Sequence, residues 1–279
     1  MSARILASRW LSPARNRLTR RATMLPSYVV VGTKRGGSTS IADWITRHPD
    51  VAPCRAAKGT HYFDVNYGRG WEWFLSRFEP VSERWSVTGE ASPYYMFHPL
   101  APQRIAAALP DARLVVSLRE PVARAWSHYQ SEVQKGFEDR PFDEAIALEA
   151  SRLRGEEARM REHPAYESYA HRHHTYVQRG QYAEQLERLF ALFPREQVLV
   201  LRSEDVFADP SAELSKVWAH LGLRDVQLDG LPRHKATHEP MNIAPGLHAQ
   251  LVEHYRPWNE RLVALLGESF SWNTDTVKD

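Results

Sequence analysis

Cysteine is almost absent from this sequence, which contains one, Cys54, among 279 residues. A single cysteine cannot form a disulfide within the chain and cannot build a thiolate metal cluster. Long apolar runs are missing as well, since no stretch approaches the ~18 consecutive apolar residues that a membrane-spanning helix needs. These two absences predict a cytoplasmic protein without a membrane-spanning segment.

Acidic residues are missing from residues 1–25, which carry six arginines. The apolar residues between them allow a weakly amphipathic helix on an anionic membrane surface, and a flexible basic tail is the simpler interpretation. The formal net charge of the whole chain is only +2, which argues against a nucleic-acid-binding protein. We therefore expect a basic arm over 1–25, with peripheral membrane contact as its possible role, and one domain over 26–279.

A glycine-rich loop follows the first apolar run, Tyr28 to Val31. It contains two cations, two glycines and three hydroxyl residues, in the order Lys34, Arg35, Gly36, Gly37, Ser38, Thr39 and Ser40, before a helical pattern begins. A strand, a glycine turn and a helix start together form an anion-binding site, in which backbone N–H groups and the helix N-terminus attract the ligand. The loop matches neither G-x-x-x-x-G-K-[ST] nor G-x-G-x-x-G.

Further apolar runs alternate with helical patterns along the chain. We predict strands at 58–63, 86–90, 114–118 and 198–201, and helices at about 39–48, 99–109, 178–193, 210–221 and 246–266. Strands that alternate with helices indicate a parallel sheet covered on both faces. The predicted fold is α/β, a single P-loop-like domain with a central parallel sheet flanked by helices.

A second candidate site follows the predicted strand 114–118. Arg119 leaves the carboxyl end of that strand, where open α/β sheets bind ligands, and Ser127 lies eight positions later in the next helix. A guanidinium and a hydroxyl placed in this way can converge on one phosphate. A surface pair between Arg119 and Glu120 is the structural alternative. Combined with the loop at 34–40, the pattern predicts a ligand with two separate anionic ends.

The order of these motifs resembles the sulfotransferases that use 3′-phosphoadenosine 5′-phosphosulfate (PAPS), especially the branch acting on carbohydrates such as heparan sulfate. The likeness covers about residues 28–223 and includes His61-Tyr62-Phe63-Asp64, Glu90-x-Ser92-Pro93-x-Tyr95 and Tyr182. It implies that residues 34–40 hold the 5′-phosphosulfate and that Arg119 and Ser127 hold the 3′-phosphate. It also implies cofactor contacts from Tyr182 and from Arg233 and Lys235, for which surface charge is the alternative.

The resemblance implies in-line sulfuryl transfer to a hydroxyl or amine of an acceptor, expected to be a glycan or glycolipid. The product would be 3′-phosphoadenosine 5′-phosphate (PAP). Cationic side chains would take the role that Mg²⁺ plays in kinases, and no metal is expected. A cluster of His171, His173 and His174 has no Asp, Glu or Cys partner at ligand spacing, so it is interpreted as a solvated loop near the acceptor cleft rather than as a metal site.

Two positions depart from the family pattern. Relatives usually carry Lys where this chain has Arg35, so the assistance to the leaving oxygen passes to Arg35, to Lys34 or to both. Relatives often carry Glu, the presumed base, where this chain has Gly59. His61 is the first replacement because a neutral imidazole titrates near physiological pH, and Glu90 and Asp64 follow. A purely structural role for His61 is the alternative.

Two other function classes stay open on the sequence. A P-loop kinase or NTPase has the same strand–loop–helix arrangement, although this chain lacks the Lys-[Ser/Thr] pair that follows the last loop glycine in those enzymes. A nucleotide-binding or membrane-adaptor protein that has lost its base is favoured only by Gly59.

Overall fold

The computed structural model describes residues 22–56, 59–234 and 241–272. Within these ranges the chain forms five strands and eleven α-helices. The strands are β1 (Tyr28–Gly32), β2 (Val51–Ala52), β3 (Val87–Ala91), β4 (Arg113–Leu118) and β5 (Val198–Arg202). The helices are α1 (Ser38–Thr46), α2 (Trp71–Leu75), α3 (Ala101–Ala108), α4 (Pro121–Gln134), α5 (Phe142–Arg152), α6 (Glu156–Glu162), α7 (Tyr169–His173), α8 (Tyr182–Phe190), α9 (Ser203–Ala208), α10 (Pro210–Leu221) and α11 (Pro245–Leu266).

The strands form one parallel sheet in the order β2-β3-β1-β4-β5. Because β1 and β4 are neighbours, with Val29 opposite Leu114, their carboxyl ends lie side by side. Residues that follow Gly32 and Leu118 therefore meet at the same edge of the sheet. This arrangement confirms the predicted α/β fold with a central parallel sheet flanked by helices.

Both faces of the sheet are buried, because successive residues of a strand point to opposite sides. On one face Val29 packs with Leu186 and Leu189 of α8. On the other face Val30 packs with Ile41 of α1 and Trp218 of α10. The continuous apolar runs of β1 and β4 are thus explained by burial on both sides.

The predicted strand at 58–63 is wrong. Among the described residues this region forms turns, and the edge strand of the sheet is β2 instead. Gly59 has a φ of 129° and His61 a φ of 48°, which no strand can contain. The backbone N–H groups of Thr60 and His61 donate to the side chains of Glu90 and Ser92 rather than to a neighbouring strand.

The first described residues already belong to the folded domain. Thr23 forms an antiparallel bridge with Pro80, and Met24 donates its N–H to the Glu79 carbonyl over 2.9 Å. The greater part of the predicted basic arm, residues 1–21, lies outside the described residues. In the part of the chain that the structure describes, no helix has both the length and the hydrophobicity needed to cross a bilayer.

Candidate functional site

The glycine-rich loop lies directly against the end of β4. Thr33 donates its N–H to the Ser117 carbonyl over 3.0 Å, and the Ser117 hydroxyl donates to the Gly36 carbonyl. A Cβ atom at Gly36 would lie 2.3 Å from the Ser117 carbonyl oxygen, so only glycine fits. Gly37 has a φ of 87° and is the N-cap of α1, whose first N–H groups have no intrahelical acceptor. The sequence therefore curls the backbone into an anion-binding loop.

A cleft of about 340 Å³ opens beside this loop. Its wall combines the loop with residues that follow β4 and β5 and with the segment near residue 233. The predicted site residues that line it are Lys34, Arg35, Gly37, Ser38, Thr39, Arg119 and Arg233. Gly36 and Ser40 are buried behind this wall, where the Ser40 hydroxyl accepts the N–H of His234. The cleft is rich in cations, as a site for an anionic ligand requires.

The two predicted halves of the site meet at Arg35 and Ser127. The Arg35 Nε donates to the Ser127 hydroxyl over 2.9 Å, although the residues are 92 positions apart. Burial and then the nearby charge of Arg119 lower the pKa of the Arg35 guanidinium. Like charges brought together in a partly buried cleft favour the binding of an anion.

The backbone around Arg119 is held by hydrogen bonds with neighbouring side chains. Glu120 accepts the N–H groups of Val122 and Ala123 over 2.8 and 2.6 Å and so caps α4. This contradicts the alternative of an Arg119–Glu120 surface pair. Tyr182 does not line the cleft: its side chain is buried and its hydroxyl donates to the Arg119 carbonyl over 2.7 Å. Tyr182 thus supports the Arg119 segment from behind.

His61 and Asp64 form a dyad at 2.8 Å between Nδ1 and Oδ2. Because Nδ1 faces a buried carboxylate, which can only accept, we assign the proton of the neutral imidazole to Nδ1 and the acceptor role to Nε2. Burial alone would lower the pKa of His61, but the hydrogen bond and charge of Asp64 outweigh it and raise that pKa above its ordinary value. This arrangement suits a general base that is oriented by a carboxylate.

Glu90 is a poor base because its carboxylate is already occupied. Oε1 accepts the hydroxyls of Thr60 and Tyr95 over 2.8 and 2.7 Å, and Oε2 accepts the Thr60 N–H and the Ser92 hydroxyl over 2.6 and 2.8 Å. A carboxylate has about four acceptor positions, and these four bonds fill them. Glu90 therefore fixes the turn that carries His61, instead of receiving a proton from an acceptor.

His171 and His173 lie on helix α7 and His174 directly follows it, so the histidine cluster is not a solvated loop. His171 is buried and its Nδ1 lies 2.7 Å from the Tyr94 hydroxyl. His173 Nδ1 lies 2.6 Å from Glu132 Oε2, and His174 Nε2 lies 2.9 Å from the Phe137 carbonyl. The described residues contain no group of three or more His, Cys, Asp or Glu arranged to hold a metal ion.

The segment near residue 233 folds over the cleft. The Arg233 guanidinium lies 4.8 Å from the ring centre of Phe207, and the His234 N–H donates to the Ser40 hydroxyl over 2.9 Å. Arg233 thus lines the cleft, while Lys235 lies outside the described residues. Phe207, which sequence analysis missed, also lines the cleft.

Other cleft residues were also missed, although the sequence contained their signal. Ser131 and Lys135 lie four and eight positions after Ser127 and therefore share its helix face. Ser203, Glu204 and Phe207 follow β5, a third strand whose carboxyl end reaches the same edge of the sheet.

The comparisons with known proteins agree with this geometry. A model of the sulfotransferase domain matches residues 25–238, which include the loop, Arg119 and Ser127. The chain belongs to the sulfotransferase family. Among solved structures, this sulfotransferase resembles one from Alicyclobacillus acidocaldarius, with a TM-score of 0.69 and 30% identity over 87% of this chain and 96% of that chain.

Curated relatives of this sulfotransferase are more distant in sequence. The membrane-associated sulfotransferase kil1 of Dictyostelium discoideum is 25% identical, over 89% of this chain and 66% of its own length. The heparan sulfate glucosamine 3-O-sulfotransferase 3B1 of Mus musculus is 29% identical, over 89% of this chain and 65% of its own length. The chain thus spans just under two thirds of the length of these two relatives.

Proposed function

We propose that this protein transfers a sulfuryl group from PAPS to a hydroxyl or amine of an acceptor, and that the acceptor is a glycan or glycolipid. The observation that carries the proposal is the hydrogen bond between Arg35 and Ser127. It joins the glycine-rich loop to the Arg119 element in one cationic cleft, which favours a nucleotide with two separate anionic groups.

The residues present fit PAPS. Lys34, Arg35 and the backbone at Gly37 to Thr39 would hold the 5′-phosphosulfate, since a Cβ at Gly36 would push this loop away from β4. Arg119, on the cleft wall, would hold the 3′-phosphate together with Ser127, which is buried behind that wall and bonded to Arg35. Phe207, with Arg233 above it, offers an aromatic surface for the base. When bound, PAPS supplies the sulfuryl group.

His61 is the proposed base for the transfer. Its Nε2 accepts the acceptor proton while the acceptor oxygen or nitrogen bonds to sulfur and the bond between sulfur and the 5′-phosphate oxygen breaks. Asp64 holds the imidazole in the required tautomer and stabilises its charged form. Lys34 and Arg35 stabilise the negative charge left on the departing phosphate.

The acceptor class is supported by the relatives. One curated relative is named for heparan sulfate glucosamine, a sugar acceptor, and another for its association with membranes. A glycan or glycolipid hydroxyl agrees with both. A kinase or NTPase has less support, because the loop lacks the Lys-[Ser/Thr] pair that binds nucleotide phosphates and Mg²⁺ in those enzymes.

Two measurements test this function. Calorimetric titration should detect PAP binding that is stronger than ATP binding, because only PAP offers a 3′-phosphate to Arg119. Transfer of radiolabelled sulfate from PAPS should then be measured on glycan, glycolipid and small-phenol fractions. Preference for ATP would support the kinase alternative, and PAP binding without transfer to any fraction would support a non-catalytic nucleotide-binding protein.

The basic residues 1–25 are proposed to make peripheral membrane contact from the cytoplasmic side. Each Lys or Arg near an anionic surface contributes about 1 kcal/mol, and six arginines without acids would together bind such a surface. Co-sedimentation with phosphatidylserine vesicles should fall for a chain that lacks residues 1–21. Equal sedimentation of both chains would contradict a membrane role for the arm.

A further inference from the structure

Glu132 is a fully buried carboxylate that serves three basic groups. It lies on α4 with 0% of its surface exposed. Its Oε1 lies 3.0 Å from Lys34 Nζ and 3.1 Å from Lys135 Nζ, and its Oε2 lies 2.6 Å from His173 Nδ1. A buried carboxylate is retained only when such partners compensate its desolvation.

Two of these partners belong to the wall of the cleft. Lys34 comes from the glycine-rich loop and Lys135 from the end of α4, and both line the cleft beside Arg35. Glu132 therefore stands directly behind the cationic wall and connects the loop to α4 and, through His173, to α7. None of the sequence motifs pointed to it, since its partners come from residues 34, 135 and 173.

Lys34 needs such a partner to stay charged. Burial and the charge of Arg179 lower the pKa of Lys34 well below its ordinary value, while Glu132 acts in the opposite direction. The titratable groups that surround this ammonium are Arg179, Lys135, Glu132 and the buried His128, and His173 shares the carboxylate. Without Glu132, the remaining neighbours would all favour the neutral amine.

The charge of Lys34 matters because Arg35 stands where relatives have a lysine. A guanidinium stays protonated and cannot deliver a proton, whereas a lysine ammonium can donate its proton to a leaving oxygen as negative charge develops there. Lys34 is the neighbouring ammonium on this loop. Its side chain must therefore be both charged and held in place.

We propose that Glu132 is a positioning residue of the transfer reaction, which holds the Lys34 side chain as an ammonium against the site of the departing phosphate. This inference rests on the proposed function. Glu132 itself touches no substrate; it acts through Lys34. His173 and Lys135 complete its coordination and so keep the carboxylate ionised.

The test compares Glu132→Gln with a matched control, Glu138→Gln. Glu138 is also a buried carboxylate, bonded to Arg152 at 2.6 Å and to the Tyr176 hydroxyl at 2.9 Å, but its partners do not line the cleft. The full chain is labelled with ¹³C-methyl groups on its lysines, and the signal that disappears in Lys34→Met is assigned to Lys34. In Glu132→Gln the Lys34 titration should move to lower pH, and in Glu138→Gln it should stay in place.

The same variants are then compared for PAP affinity and for turnover. Glu132→Gln should lower turnover on the order of 10²-fold, with a change in PAP affinity of less than about tenfold. In the Lys34→Met background, Glu132→Gln should have no further effect on turnover, because residues that act through one group are not additive. If circular dichroism shows that Glu132→Gln does not fold, Glu132→Asp takes its place, because it keeps the negative charge. Glu132→Asp should leave the Lys34 titration unchanged and should lose less turnover than a variant without the charge.

The outcomes separate this inference from the proposed function. Wild-type protein that neither binds PAP nor transfers sulfate would overturn both. Wild-type activity together with an unmoved Lys34 titration in Glu132→Gln, or with additive losses in the double variant, would overturn the role of Glu132 alone.

Discussion

Arg119 and Ser127 belong to one strand–helix unit but complete a site whose other half lies about 90 positions earlier in the chain. Replacing Arg119 by Ala removes a charged hydrogen-bond donor to phosphate, a loss of about 1.5–3 kcal/mol or roughly 10- to 150-fold in PAP affinity. Ser127→Ala should cost less, about 3- to 10-fold, because it removes one neutral donor. Calorimetric titration with PAP measures both.

Arg113→Ala is the control for these variants. Arg113 begins the same strand at its opposite, solvent-exposed end, so its removal should leave PAP affinity unchanged. Unaltered affinity in Arg119→Ala and Ser127→Ala would contradict the assignment of the 3′-phosphate site.

His61 should affect turnover much more than nucleotide affinity. His61→Ala is expected to lower turnover by about 10²–10⁴-fold, the usual contribution of a general base. Because the neutral imidazole is the active form, kcat/KM should rise with pH through a midpoint above the ordinary pKa of histidine. Near-normal rates in His61→Ala would indicate that Asp64, and not His61, acts as the base.

The dyad also predicts the direction of a pH shift. Asp64→Asn removes the group that raises the pKa of His61, so the midpoint of the kcat/KM profile should move to lower pH. Asp50→Asn, which removes a carboxylate paired with Arg224, should leave the profile in place. A midpoint that is identical in wild type and Asp64→Asn would exclude His61 as the titrating base.

Single residues also define the limit of sequence analysis. Ser127 was found because its spacing from Arg119 follows from helix periodicity alone. The positive φ of His61 and the saturation of Glu90 could not be foreseen, since both result from hydrogen bonds between segments that are about 30 residues apart. The same holds for Glu132, whose partners come together only in the folded chain.

Helix α4 depends on its N-cap, Glu120. Glu120→Ala removes the two hydrogen bonds to Val122 and Ala123 and should lower the free energy of unfolding by about 1 kcal/mol. Because α4 carries Ser127, the loss should also weaken PAP binding modestly. Urea denaturation with and without PAP measures both effects.

Glu144 provides the control for the helix cap. It lies in the first turn of α5 and makes only an exposed 3.8 Å ion pair with Arg140. Exposed pairs of this kind contribute little, so Glu144→Ala should change neither stability nor PAP affinity. If Glu120→Ala and Glu144→Ala lowered the free energy of unfolding equally, the hydrogen bonds of the N-cap would not be the reason for the effect of Glu120→Ala.

Strands with a nearly unbroken apolar sequence and helices with a regular apolar pattern could be predicted, whereas irregular segments could not. The strands β1, β4 and β5 are near-continuous apolar runs, and the predicted bounds of α10, 210–221, match the structure. The predicted helix at 178–193 instead starts as a short 3-10 turn at Gln178–Gly180, followed by α8. A Cβ at Gly180 would come within 2.8 Å of the Tyr255 ring, a tertiary contact that the local pattern cannot reveal.

At the scale of the whole molecule, cations are concentrated behind the cleft although the net charge is only +2. Arg124 and Arg179 are each 0% exposed, and burial lowers the pKa of Arg179 to about 10. Such charge opposes folding until an anion neutralises it. PAP at 100 times its dissociation constant should stabilise the protein by about 2.7 kcal/mol and raise Tm on the order of 5 °C.

Differential scanning fluorimetry checks this stabilisation. ATP at the same concentration should raise Tm less than PAP, and Arg119→Ala should reduce the PAP effect. An equal rise with ATP would argue against recognition of the 3′-phosphate and in favour of the kinase alternative.

Helix α11 lies beyond the matched domain segment, residues 25–238, yet it supports the site. Its Tyr255 donates a hydrogen bond to the Val177 carbonyl over 3.0 Å and packs against Gly180, just before α8. Tyr182 at the start of α8 then holds the Arg119 carbonyl. Helix α11 is therefore part of the framework that orients the proposed nucleotide site.

Gly59 occupies a backbone position that a glutamate could not take. Its φ is 129°, and a Cβ there would lie 2.0 Å from the Ala91 carbonyl oxygen. Glu and Gly codons differ by a single base, so Gly59→Glu is one mutational step away. The folded chain nevertheless excludes that side chain, and an acidic residue at this position would require the turn at 59–66 to be rebuilt first.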